Sequence, residues 1–93
     1  MTTDQHEIHR IAGPQVAWRA AGDEVVILDT VNAVYFGLDR SASLLWHRLV
    51  AGATVAELVA TLVANAPVDE ARAAADVHTF LEDLRRNGLL RSA

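Results

Sequence analysis

Residues 24–50, EVVILDTVNAVYFGLDRSASLLWHRLV, read as strand, turn, strand and then helix. Val25-Val26-Ile27-Leu28 is a short, mostly β-branched run closed by Asp29. Ala33-Val34-Tyr35-Phe36-Gly37-Leu38 is a second run, rich in residues that suit a pleated surface. Between them Asp29-Thr30-Val31-Asn32 predicts a type I turn with Asn32 in the left-handed conformation, closing a hairpin. Asp39 stands where a helix N-cap belongs, directly before apolar positions Ala42, Leu45, Trp46 and Leu49. One stretch thus supplies a β-ribbon and the helix that covers it. The rest of the chain lengthens the sheet or packs on that helix.

Upstream, Val16-Ala17-Trp18-Arg19-Ala20 alternates weakly and predicts a first strand, with Ala21-Gly22-Asp23 as a tight turn into the second. Residues 1–13 carry His6, Glu7, His9 and Arg10 without a clear period and end at Gly13-Pro14. They are expected to be a flexible N-terminal arm, leaving residues 14–93 as the folded domain. Downstream, Thr54-Val55-Ala56-Glu57 fits a capping box, and Val55, Leu58, Val59, Leu62 and Val63 form one apolar stripe. Asn65-Ala66-Pro67 ends that second helix, because proline disfavours helix in the residue before it. Asp69 is the expected N-cap of a third helix, whose apolar face is Ala73, Val77, Phe80, Leu81 and Leu84. Arg85 and Arg86 suit its negative end, and Gly88 as a left-handed residue would bring Leu89 onto Leu84 in a Schellman cap. The expected fold is α+β and winged helix-turn-helix-like: a three-stranded antiparallel sheet followed by three helices.

Ninety-three residues suffice for one modest core without staples. There is no cysteine, which removes disulfides and thiolate metal sites. No apolar run approaches the roughly 20 residues of a membrane span, and the polar start MTTDQHEIHR does not read as a signal peptide. A cytoplasmic location without membrane attachment is therefore expected. Net charge is −4, and every basic residue is arginine. An acidic domain grips phosphate backbones poorly, so no nucleic-acid partner is expected.

Candidate chemistry is thin. His6 and His9 lie three apart, but no third ligand follows at a convincing spacing, so they read as tail residues rather than a metal site. His47 and His78 fall beside apolar stripes as boundary residues, and Asp29 is placed to cap its turn. No nucleophile–histidine–acid set, glycine-rich phosphate loop or paired carboxylate occurs, so neither catalytic residues nor cofactors are expected. The pair Tyr35-Phe36 says more. On a strand the two side chains face opposite sides. Phe36, with Val34 and Leu38, is expected to enter the core, leaving Tyr35 on the other face. In a simple meander this third strand is an edge, and no charge or proline within its run blunts it. Such an edge is either an aggregation hazard or a docking site for another strand.

These residues carry a resemblance. Leu28-Asp29, Asn32, Tyr35-Phe36-Gly37-Leu38-Asp39, Leu45-Trp46, Leu49, Gly52, Thr54-Val55 and Glu57-Leu58 resemble the pattern of the PqqD family. Asp76-Val77, Phe80-Leu81, Leu84 and Gly88-Leu89-Leu90 fit it as well, so the likeness spans about residues 16–90. Asp39 stands where the family usually has Asn, and Asn32 where it usually has Gly. The resemblance implies a leader-peptide recognition domain for ribosomally made, modified peptides. It implies that the leader adds as a strand to the third strand, with the third helix walling the groove. The Tyr-Phe-Gly-Leu form is most similar to stand-alone proteins of lasso-peptide biosynthesis, which pass the precursor to a leader peptidase. An adaptor for a radical enzyme is the alternative with the same groove. A winged-helix DNA binder fits poorly, since the third helix mixes arginine with Asp69, Glu70, Asp76, Glu82 and Asp83.

Strand addition supplies main-chain hydrogen bonds worth only about 0.5–1.5 kcal/mol each, so specificity must come from side-chain pockets. The expected peptide-binding set is Ala33, Val34, Tyr35, Phe36 and Gly37 on the strand, with Arg72, Ala73, Asp76, Val77, Phe80 and Leu84 on the helix. Alanines at 71 and 73–75 keep the helix slim, and Arg72, Asp76 and Asp83 frame the rim. If the Phe80 ring is fully buried, Phe80→Ala would cost about 3–5 kcal/mol.

Overall fold

The computed structural model describes residues 7–92. In chain order its elements are β1 (His9–Ile11), β2 (Val16–Ala21), β3 (Glu24–Asp29), β4 (Val34–Leu38), α1 (Arg40–Ala51), α2 (Val55–Asn65), α3 (Glu70–Arg86) and β5 (Leu90–Ser92). β2, β3 and β4 form the expected three-stranded antiparallel meander, with β3 central. Val25 and Ile27 of β3 are completely buried, while Val26 and Leu28, which alternate with them, are half-buried on the opposite face. The alternation is that of a sheet covered on one side. α1 lies on the covered face, bringing Leu45, Trp46 and Leu49 into one core with Leu58 and Leu62 of α2 and Val77, Leu81 and Leu84 of α3.

The caps follow local chemistry. Asp39 Oδ1 accepts from Ala42 N at 2.9 Å, and Asp69 Oδ1 accepts from Arg72 N at 2.8 Å. Thr54 and Glu57 exchange hydrogen bonds at 3.1 and 2.9 Å, completing the capping box. At the end of α3, Leu89 N donates to Leu84 O at 2.9 Å and Gly88 N to Arg85 O at 3.1 Å. That is the Schellman pattern, with Gly88 at φ 73° and both leucines buried. Gly88→Ala should therefore destabilise the domain by about 1–2 kcal/mol, the cost of forcing a Cβ into the left-handed region. A thermal melt checks it: at this size roughly 4–8 °C is lost per kcal/mol.

Two expectations are corrected. The flexible arm assigned to residues 1–13 does not extend to its C-terminal end. His9–Ile11 is β1, paired antiparallel with β5. His9 N also donates to Ala53 O at 2.8 Å and Ala53 N to His9 O at 3.0 Å, tying the segment to the α1–α2 connection. Residues 1–6, including His6, lie outside the described residues. The second correction concerns the β3–β4 turn. Ala33, at φ 56°, takes the left-handed position rather than Asn32. Asn32 instead donates its side-chain amide to Asp29 Oδ2 at 2.8 Å, and its backbone N–H to Oδ1 at 3.1 Å. The turn is one residue longer than expected, and β4 starts at Val34 rather than Ala33.

Candidate functional site

β4 is hydrogen-bonded to β3 on one side and has no strand partner on the other among the described residues. In an antiparallel ladder, alternate backbone groups of such a strand point outward, unpaired. Phe36 and Leu38 turn inward and pack on the core, while Tyr35 is 70% exposed on the open face. Val34, expected inside, is 43% exposed at the hairpin end.

Beside this edge runs a groove walled by α3 and floored by the start of α1. Its larger part, about 470 Å³, is lined by Phe36, Gly37 and Leu38 on one side and Phe80, Asp83, Leu84 and Asn87 on the other. A smaller part, about 210 Å³, continues past Asp76 toward Leu62 and Val68. Asp39, Ala42 and Phe80 line both parts, so Phe80 stands at their junction. The wall carries charge in balanced pairs: Arg72 meets Asp76 at 3.2 Å, and Arg86 meets Asp83 at 3.0 Å. Exposed pairs of this kind contribute about 0–1 kcal/mol to stability. Their effect is to keep the groove free of strong net charge.

Of the eleven residues expected to bind peptide, Phe36, Gly37, Asp76, Phe80 and Leu84 line the groove. Ala73 and Val77 are completely buried beneath it as core. Arg72 reaches it through Asp76, and Ala33 lies in the turn. Leu38, Asp39, Ala42 and Asn87 line the groove without having been singled out. The helix face explains the difference. Ala73, Val77 and Leu84 form the core stripe, whereas Asp76, Phe80, Asp83 and Asn87, at i, i+4, i+7 and i+11, form the adjacent groove stripe.

A separate cavity of about 430 Å³, on another part of the surface, contains His9, His78, Glu82 and Arg85. No group of three or more metal-ligating side chains occurs among the described residues. His9 is buried, and burial holds its pKa below the ordinary 6.5; Arg85 and His78 push the same way, against Glu7. Folded His9 therefore binds a proton less readily than an unfolded histidine. Stability is fully present above pH 6.5 and falls as the pH drops through the window between 6.5 and the lowered native value. His9→Gln should flatten this part of a melting-temperature-against-pH curve. The carboxyls of Asp29, held low by the Asn32 side-chain amide, and Glu57, held low by the Thr54 N–H, lose their contribution only at more acid pH.

No helix among the described residues is long and apolar enough to cross a membrane. Comparison with known proteins adds three findings. The TbiB1 protein, solved in complex with the TbiA(beta) leader peptide, superposes with a TM-score of 0.82 at 33% identity, over 88% of this chain and 94% of that one. A lasso peptide synthetase B1 complexed with the leader peptide superposes with a TM-score of 0.79 over 89% and 96%; at 24% identity it speaks to the fold alone. No curated protein matches the sequence. The sequence pattern of the PqqD family, described as coenzyme PQQ synthesis protein D, matches residues 24–90, and with the shared fold this places the chain in the PqqD family.

Proposed function

We propose that this protein is a non-catalytic leader-peptide-binding protein, a recognition element for a ribosomally made and modified peptide. It takes the leader as an added strand on β4 and delivers the precursor to a leader peptidase in lasso-peptide biosynthesis. The observation that carries the reading is the unpaired, uncharged edge of β4 lying directly against the Phe80 groove. The 33% identity to a protein solved in complex with a leader peptide supports leader binding, and the Tyr-Phe-Gly-Leu form of β4 favours the lasso-type assignment over a radical-enzyme adaptor. Phe36, Gly37, Asp76, Phe80 and Leu84 contact the leader in this reading, with Tyr35 and Val34 supplying edge backbone. Ala73 and Val77 hold the wall in place from beneath. The work is done in the cytoplasm, where ribosomes make the precursor.

Such an adaptor acts by raising the effective concentration of the leader at the peptidase, which needs no chemistry from this chain. Titrating isotope-labelled protein with the TbiA(beta) leader peptide should shift amide signals of residues 34–38 and 72–87. Shifts confined to α2 would overturn the reading. Mixed with precursor alone, the protein should leave the peptide's mass unchanged. Mixed with precursor and peptidase, it should accelerate leader removal; equal rates with and without it would defeat the delivery step.

A further inference from the structure

β1 and β5 form a ribbon of their own, separate from the β2–β3–β4 sheet. Its inner face is His9, Ile11 and Leu90, which turn toward the core. Side chains alternate along a strand, so Arg10 and Arg91 point outward. The register sets these two arginines directly opposite each other. Opposed side chains share a face with Cβ atoms about 4.5–5.5 Å apart, and like charges placed so repel. Neither arginine forms an ion pair among the described residues, whereas Arg48, Arg72, Arg85 and Arg86 each meet a carboxylate at 3.0 to 3.8 Å. Arg19 and Arg40 also lack such a partner, but neither is opposed by a second cation: Arg19 faces Val26 across the sheet, and Arg40 opens α1.

Arg10 is held in this outward position. A Cβ on Gly52 would fall 2.6 Å from its guanidinium and 3.3 Å from the Ile8 side chain, so both side chains lie over that glycine. The guanidinium donates to Ala51 O at 3.5 Å, a long contact that leaves most of its N–H donors open. Arg91 is exposed, and Ile8 is 40% exposed. The outer face of the ribbon is thus two guanidiniums beside an apolar edge.

The chemistry that fits this face is a protein surface rich in carboxylates. A carboxylate accepts paired hydrogen bonds from guanidinium and offsets the repulsion between the two cations. The chain as a whole carries a net charge of −4, so an acidic partner is repelled by most of its surface and attracted here, which fixes its orientation. No residue of β1 or β5 lines either part of the Phe80 groove. A partner on the ribbon therefore leaves the β4 edge free, and an adaptor has to hold leader and peptidase at the same time. Resting on the delivery reading, we propose that the outer face of the β1–β5 ribbon docks the leader peptidase, which presents an acidic patch to Arg10 and Arg91.

The test measures affinity for the cognate leader peptidase and for the TbiA(beta) leader peptide, with melting temperature taken on the same samples. Arg91→Glu sets opposite charges across the ribbon, so it should melt at or above the wild-type temperature. It should nevertheless bind the peptidase about tenfold or more weakly at low salt, with leader affinity unchanged. The double variant Arg10→Lys with Arg91→Lys keeps both charges and should stay within about threefold of wild type. Added salt should weaken the wild-type complex and narrow its advantage over Arg91→Glu. Peptidase binding by Arg91→Glu within about twofold of wild type, with acceleration of leader removal intact, overturns this inference and leaves delivery standing. Self-association of the wild type that Arg91→Glu abolishes gives the ribbon to a second copy of this chain and overturns it too. A wild-type protein that binds leader but neither binds the peptidase nor speeds leader removal overturns delivery, and this inference with it.

Discussion

Trp46→Ala is expected to remove about 3–5 kcal/mol of stability, enough to leave the domain largely unfolded at moderate temperature. Trp46 is completely buried at the centre of α1, among Ile27 of β3, Leu49 of its own helix and Leu58 of α2. It also meets the Trp18 ring edge-to-face, with centroids 6.3 Å apart and planes at 75°. Trp18 is 37% exposed and also meets the His47 ring edge-to-face at 5.4 Å, so truncating Trp46 removes one of its two ring contacts. A conservative variant separates shape from polarity. The indole N–H of Trp46 is buried without a hydrogen-bond acceptor among the described residues. Trp46→Phe leaves a cavity but removes an unsatisfied donor that costs about 1–3 kcal/mol, so its net loss should be far smaller than that of Trp46→Ala. Denaturant unfolding of the three proteins measures the order. Equal losses for Phe and Ala would show that the N–H is satisfied and the ring irreplaceable.

What the sequence could disclose depended on how far apart the deciding residues lie. Asp39, Thr54 with Glu57, and Asp69 cap helices through contacts three residues long, and Gly88 closes α3 through contacts five residues long. All were readable because propensity and spacing act over such distances. β1 and β5 were not, because each is three residues long and they meet from opposite ends of the chain. Too few positions exist in either for a period to emerge, and the pairing of His9 with Ala53 is equally remote in sequence. The β3–β4 turn failed for a different reason. Asn32 has the intrinsic taste for positive φ, but its side chain is engaged by Asp29, and the left-handed step passes to Ala33. Tertiary and side-chain contacts outweighed propensity by one position.

The candidate site was legible on the strand and displaced on the helix. Apolar periodicity in α3 identifies the face that is most hydrophobic, which is the face that goes to the core: Ala73, Val77, Leu81 and Leu84. A ligand groove uses the neighbouring face, where one apolar residue sits among polar ones. Phe80 between Asp76 and Asp83 is that signal, readable as a large ring that the core stripe does not need.

Phe80→Ala follows from this placement and inverts the expectation for a core phenylalanine. The ring is half-buried and open to both parts of the groove, so truncation gives up only part of a full burial. The stability loss should be about 1–2 kcal/mol, since full burial of such a side chain is worth about 1.5–3 kcal/mol. The binding loss should be larger. In the proposed leader-binding reading, a ring at the junction of two cavities is the central anchor of the interface, and such anchors typically cost about 2 kcal/mol or more when removed, roughly thirtyfold in affinity. Asp83→Asn is the contrasting variant. It removes an exposed charge whose pair with Arg86 is worth about 0–1 kcal/mol, and so should shift leader affinity by only a few-fold. Melting temperature and leader affinity measured on the same samples decide the matter. A Phe80→Ala protein that melts like Trp46→Ala would put the ring in the core, whereas a melting temperature well above that of Trp46→Ala together with lost leader binding puts it in the groove.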